Sequence, residues 1–448
     1  MDPRAESAPP RVAPPSLVQG APSDERVYRR TGIALIGFLV PCYIVAMIDR
    51  LNVGYAKLQF MADLHFDEAV FGVAAGSLYV GYILFEIPSN LLLQRAGLRR
   101  TLLRIMTLWG LFTMAIAFAE TRWQFYAMRF LIGAAEAGFF PGLIYYSTLW
   151  FPGRYRARVI SLIAIAVPVS GIIAGPLSAW IMTQMAGQAG LRGWQWLFLL
   201  EGAPAILLGI GAFFYLPDGP QGARFLSAAD KAQIARDLED DRAAAAGRPA
   251  TSFAQALRRP RTYLLALIYF AFYSAQSILL LWVPTLLRNA GARGLEQIGW
   301  LSAAVFLAGA LGMAAIGWSS DRLGERRWHL VGSGLVACGA FFLLPLAAAS
   351  PEATCLCLMA AAATMFAFLA LFWTVPTAEM GAGARAGGIA LVSSIGSSGS
   401  ALSPMFIGSM KVVTGSLFGA IAVLAGIFLV SLVALYGIAP RRVRKAAG

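Results

Sequence analysis

Four ionisable residues stand where a hydrophobic chain should have none. Arg129 and Glu136 lie seven positions apart in the run RFLIGAAEAGFFP (129–141). On an α-helix that spacing is about two turns, so both charges share one face. Their separation of about 10 Å along the axis is too long for a tight pair within the helix. Each needs a partner from another helix, and Asp49 and Arg50 in the first apolar run are the natural candidates. A charge inside a bilayer costs roughly 2.5–3.5 kcal/mol on insertion scales, so such residues signal function before packing. The four groups sum to zero when all are ionised. An incoming anion would make the cluster net negative in a low dielectric, which is unfavourable. One proton on Asp49 or Glu136 cancels that charge and frees an Arg to grip the anion, bidentately where geometry allows. Burial disfavours an ionised carboxyl and a nearby Arg favours it, so a substrate that draws the Arg away promotes protonation.

The surrounding chain must carry this cluster in a membrane. Of its 448 residues 58% are hydrophobic and 13% charged, against about 25% charged in a soluble domain. A net charge of +13 would suggest nucleic acid in a soluble chain. Here the basic residues sit in short loops between apolar runs, the positive-inside pattern, and no nucleic-acid partner is expected. Cys42, Cys338, Cys355 and Cys357 fall in apolar runs with no metal or redox spacing. The two histidines, His65 and His329, are too few for a haem or zinc enzyme. No cofactor and no metal are expected, and no nucleophile–base pair supports an enzyme.

Twelve runs are long enough to cross a hydrocarbon core of about 30 Å: 31–59, 70–93, 101–119, 124–149, 157–183, 195–216, 262–287, 297–318, 329–349, 353–377, 387–411 and 415–438. The expected organisation is a disordered tail (1–30), a six-helix bundle (31–217), a loop with an amphipathic helix (218–261), a second six-helix bundle (262–439) and a basic tail (440–448). Residues 1–30 lack a signal peptide's apolar core. Arg95, Arg99 and Arg100, then Arg154, Arg156 and Arg158, then Arg322, Arg326 and Arg327, then Arg385 mark the inner side. Lys57, Arg122, Arg192, Arg288, Arg293 and Lys411 fall in the opposite loops. Both termini are therefore expected in the cytoplasm.

Residues 94–100, QRAGLRR, realign with 321–327, DRLGERR, at an offset of 227 that also maps Arg158 onto Arg385. A parallel repeat of two six-span halves places a site at the midplane between them, reached by alternating access.

These residues resemble the major facilitator superfamily. Gly317, Asp321, Arg322, Gly324, Arg326 and Arg327 look like its hallmark loop. The first-half copy keeps Arg95, Gly97 and Arg99 but has Asn90 and Gln94 at the glycine and aspartate positions. In the family these loops hold one access state through inter-helix charge contacts. A narrower resemblance covers nearly all of 45–410. Asp49-Arg50-x-Asn52, Gly81-Tyr82 before Glu86-Ile87-Pro88-Ser89-Asn90, Arg129-Phe130-x-x-Gly133-x-x-Glu136-Ala137, Leu200-Glu201-Gly202 and Phe372-Trp373-x-x-Pro376-Thr377 are similar to the anion:cation symporter family, in its tartrate/phthalate-like bacterial branch. The resemblance implies an all-α, twelve-helix transporter in a bacterial inner membrane. It would take up a small organic carboxylate such as tartrate, phthalate or a sugar acid by proton symport, as a monomer. Asp49 and Glu136 would handle protons, Arg50 and Arg129 would bind substrate, and Tyr82 would line the site.

The second half departs from the pattern. Ser277-Ile278-Leu279-Leu280 replaces a polar stretch in span seven, and Ser393 and Ser397 stand where the family has asparagines. Ser393 and Ser397, with Tyr273 and Trp373, are the substrate-recognition candidates there. Exchange or efflux of organic anions is the alternative transport mode. A non-transporting nutrient sensor is the alternative of another class, although 217–261 is too short for a signalling domain. Structural roles are expected for Glu86 and Glu201.

Overall fold

The computed structural model describes residues 22–246, 259–379 and 385–439. The expected basic tail 440–448, most of the expected N-terminal tail and part of the central loop lie outside them. The first half comprises α1 (Pro22–Asp63), α2 (Glu68–Ala96), α3 (Leu98–Ile116), α4 (Arg122–Glu136), α5 (Phe139–Trp150), α6 (Gly153–Ala164), α7 (Ala166–Gln184) and α8 (Gly193–Tyr215). After α9 (Ala228–Ala246) the second half follows. It comprises α10 (Pro260–Ser277), α11 (Val283–Asn289), α12 (Gly294–Leu323), α13 (Arg327–Ala347), α14 (Pro351–Phe372), α15 (Thr374–Glu379), α16 (Arg385–Thr414) and α17 (Leu417–Ile438). Among the described residues ten segments are long and apolar enough to cross a membrane. With α3, packed on α8 and α4, and α16, packed on α2 and α10, the fold is an all-α bundle of twelve spans in two halves.

Local chemistry sets the ends. Asp67 accepts a hydrogen bond from the Val70 amide at 2.8 Å and starts α2, and Thr121 with Gln124 forms a capping box on α4, each satisfying amides that have no partner inside the helix. Gly324 closes α12 in the left-handed region (φ 63°), which glycine adopts without a Cβ penalty.

Several elements differ from the sequence expectation. α1 reaches back to Pro22, into the stretch expected as tail. The fourth span is two helices, because Ala137 leaves helical geometry and Gly138 turns left-handed (φ 84°). The seventh span carries one π-helical turn at Ile278–Trp282 between α10 and α11. Such turns open the ladder and are frequent at functional sites. α9 lies on the first half, with Arg154 bridged to Asp237 and Arg156 to Asp241, each at 2.9 Å.

The halves meet at the ends that carry the turns at 64–67 and 290–293. There α2 packs on α16, α7 on α12, and α1 on the π turn and α11. Close backbone approach requires glycine at these crossings. A Cβ at Gly175 would strike the Gly299 carbonyl, and one at Gly408 the Glu68 carbonyl.

Candidate functional site: a buried charge cluster beneath the half-to-half boundary

α1, α2 and α4 bring the four charges together. α2 and α4 cross at Gly81 and Gly133, where an added Cβ would run into the Phe130 and Leu78 carbonyls respectively. That contact sets Tyr79 and Tyr82 beside the charged face of α4. Asp49 (1% exposed), Arg129 (2%) and Glu136 (1%) are shut off from solvent, whereas the Arg50 side chain keeps 25% of its surface.

Arg50 and Glu136 pair directly. Arg50 Nη2 lies 2.8 Å from Glu136 Oε1, and Nε donates to the same oxygen at 2.9 Å. Both donors converge on one oxygen, so Oε2 has no partner. The Arg50 guanidinium also lies 5.2 Å from the Tyr82 ring centroid, within cation–π range.

Asp49 and Arg129 form the second, looser pair. Asp49 Oδ2 accepts from Trp109 Nε1 at 2.8 Å and Oδ1 from Asn52 Nδ2 at 3.1 Å. Asp49 is the charge that acts most strongly on Arg129, although no carboxylate reaches ion-pair distance of it among the described residues. Arg129 Nε has no hydrogen-bond partner. Arg129 is thus a buried cation with donor capacity to spare, and Arg50 a half-open one whose Nε and Nη2 are engaged by Glu136.

The second half faces this cluster with rings. Tyr273 lies within electrostatic reach of Arg50 and Tyr43, and its hydroxyl is 3.2 Å from that of Tyr269. Tyr269 stacks on Phe372 at 4.7 Å and meets Trp373 edge-on at 4.9 Å. Ser393 and Ser397 are half-buried at the edge of the α16 face that packs on α10 through Gly396 and Gly399. Ser397 Oγ donates to the Ser394 carbonyl of its own helix at 3.1 Å.

Among the described residues the hallmark loops pair within their own halves or with the start of the central loop. Asp321 pairs with Arg326, which also donates to Ser320 Oγ at 2.6 Å. Arg322 lies over Trp318 at 5.1 Å, and Gly317 has open space around it. In the first copy Arg99 bridges Asp218 at 2.9 Å, Gly97 is left-handed (φ 81°) against the same Asp218, and Arg95 is exposed.

Sequence reading missed four participants. Tyr79 could have been found, since it precedes Tyr82 by three on one helical face. Trp109 and Tyr43 carried no signal beyond being aromatic. Lys57 was expected in an outer loop and is instead buried. Its Nζ is 2.6 Å from Glu68 and lies over the Trp282 and Phe71 rings at 3.9 and 4.2 Å. Trp282 belongs to the second half, so this caged amine ties the halves together.

Twelve spans in two halves around a buried charge cluster are the architecture of a membrane transporter. The sequence matches the Major Facilitator Superfamily over residues 39–404, and the chain belongs to that family. It is 39% identical to a quinolone resistance transporter of Acinetobacter baumannii, over 93% of this chain and 94% of that protein. It is 37% identical to a "Putative tartrate transporter" of Agrobacterium vitis, over 91% and 93%. A bacterial homologue of the human lysosomal transporter Spinster, solved inward-facing and occupied, has the same fold, with a TM-score of 0.69 at 18% identity over 93% of this chain and 97% of that one.

Proposed function

We propose that this protein couples the uptake of a small organic carboxylate to the entry of protons. The carrying observation is the Arg50–Glu136 pair, half-open at Arg50 and closed at Glu136. While Glu136 is ionised it occupies the guanidinium that a substrate carboxylate needs. A proton on Glu136 releases Arg50, and the substrate carboxylate replaces the lost negative charge, so the cluster stays neutral. Arg129, with its unpartnered Nε, is the second anchor, and Asp49 is the second acid that a substrate bound at Arg129 would relieve. Tyr82 lines the site, Tyr273 and Trp373 recognise the body of the substrate, and Ser393 and Ser397 supply hydroxyls at the edge of α16. The 37% identity to the tartrate relative supports a carboxylate.

Positive-inside loops support an inner-membrane orientation with both termini cytoplasmic. In that frame the halves are closed on the periplasmic side, and the Asp321–Arg326 loop, paired within itself, is released from the other half. Both features fit an inward-open state.

The test uses proteoliposomes and L-tartrate. Glu136→Gln should abolish proton-driven accumulation and spare tartrate counterflow. Unchanged accumulation would sink the proposal. The relationship to a quinolone resistance transporter favours efflux as a second reading. Substrate-dependent alkalinisation of the outer medium supports uptake by symport, and proton-independent exchange or outward drug movement supports the alternative.

A further inference from the structure

One buried acid in the first half has no cation. Glu201 in α8 is 4% exposed. Its Oε1 accepts a hydrogen bond from Ser178 Oγ at 3.2 Å, and its Oε2 has no partner. Among the described residues no Lys or Arg lies within ion-pair distance. α1 presents Asp49, Asn52 and Tyr55 to it, and α7 presents Ser178. α3 meets that stretch of α8 at Gly110 and Met114, beside Gly202, and neither titrates. The charged group that acts on Glu201 is therefore another acid, Asp49.

Asn52 stands between the two. It is fully buried, its Nδ2 donates to Asp49 at 3.1 Å, and its side chain lies beside Glu201. Its Oδ1 is left without a donor. Two neighbouring side chains thus each hold a dry oxygen that lacks a donor, which is costly. A single proton on Glu201 supplies the missing donor. Ionised, Glu201 would be a buried anion with no cation to offset its desolvation, next to a like charge. It would also make the sum over Asp49, Arg50, Arg129, Glu136 and Glu201 equal to −1, where a protonated Glu201 leaves it at zero.

We propose that Glu201 is a second proton-binding site, filled when the substrate cavity is empty and coupled to Asp49 through Asn52. Its place in transport rests on the symport reading above, but the site itself does not. The cluster then has a proton it carries from the start, and ionisation of Glu201 opposes anion binding at Arg129 by placing a second negative charge behind Asp49.

Infrared spectroscopy of the full-length protein in liposomes, without substrate or gradient, tests this. A protonated carboxyl gives a C=O stretch above the amide bands that shifts in D₂O. The wild type should show such a band, lose it reversibly as the pH is raised, and lose it at all pH values in Glu201→Gln. Ser178→Ala, which keeps the acid and removes a donor to Oε1, should move the same band to higher frequency. Asp49→Asn should lose the band at lower pH, because the like charge that opposes ionisation of Glu201 is gone. An identical spectrum in wild type and Glu201→Gln overturns the proposal. So does a band that persists until the protein unfolds, which would mark a permanently neutral structural group. Because no transport is measured, failure of the Glu136→Gln experiment leaves this result standing, and the reverse holds.

Discussion

The two halves share a fold and a loop motif but divide the chemistry unequally. Asp49, Arg50, Arg129, Glu136 and Glu201 are all in the first half. Across the boundary the second half offers Tyr269, Tyr273, Phe372 and Trp373. Charges need fixed partners and tolerate little displacement, because each lost partner leaves a desolvated ion. Rings need only area and a face, and can be exchanged at a cost of one or two contacts. A transporter built this way can change what it recognises in one half without disturbing how it couples in the other. The departures at Ser277–Leu280, Ser393 and Ser397 all fall on the exchangeable side.

The largest test of that division is Arg129→Ala. It leaves Asp49 with only neutral donors, and the loss of one member of a buried pair should cost about 3–5 kcal/mol, read as a fall in melting temperature. Adding Asp49→Asn should recover part of the loss. No recovery would separate the two residues. Next is Gly175→Leu at the α7–α12 crossing, where the side chain would strike the Gly299 carbonyl. Transport should fall by about 100-fold, equivalent to roughly 2.7 kcal/mol on the barrier, in a protein that still folds. Smaller again is Tyr273→Phe. On the proposed symport reading, KM for L-tartrate should rise by up to about tenfold, some 1.4 kcal/mol, with the proton-to-substrate ratio unchanged. A changed ratio would move coupling into the second half and break the comparison.

The smallest effect lies outside the membrane, at Glu325. Burial pushes its carboxyl up, but donors from the Trp328 amide and the His329 ring and amide outweigh it and hold the carboxyl below its usual range. The stability this gives is present at neutral pH and is lost as the pH falls through the lowered value. Glu325→Gln should therefore melt slightly lower than wild type at pH 7, by less than about 1 kcal/mol, with the gap closing in acid.

The sequence carried the spans and the four charges for one reason: a charge in an apolar run is rare and its helical face is calculable. Arg129 and Glu136 were legible as non-partners from spacing alone. That Glu136 would choose Arg50, leaving Arg129 to Asp49, depended on how α1 crosses α4, which no local pattern encodes. The break after Glu136 was half-visible, since Gly138 and Pro141 are an end and a beginning in the usual order. The π turn was not, because Ile278–Leu281 is as good a plain helix as any. Lys57 misled for a plain reason: a lysine near a turn is normally solvated, and only Phe71 and Trp282, distant in sequence, enclose it.

That enclosure makes the protein its own reporter. An amine-acylating reagent needs a free, approachable amine, and Lys57 shows it only 2% of its side-chain surface while Trp282 covers it from the other half. Should the halves part on this side, Trp282 would leave and the amine would be uncovered. The rate at which Lys57 is acylated should then report how often this face of the transporter opens, with no residue introduced by mutation.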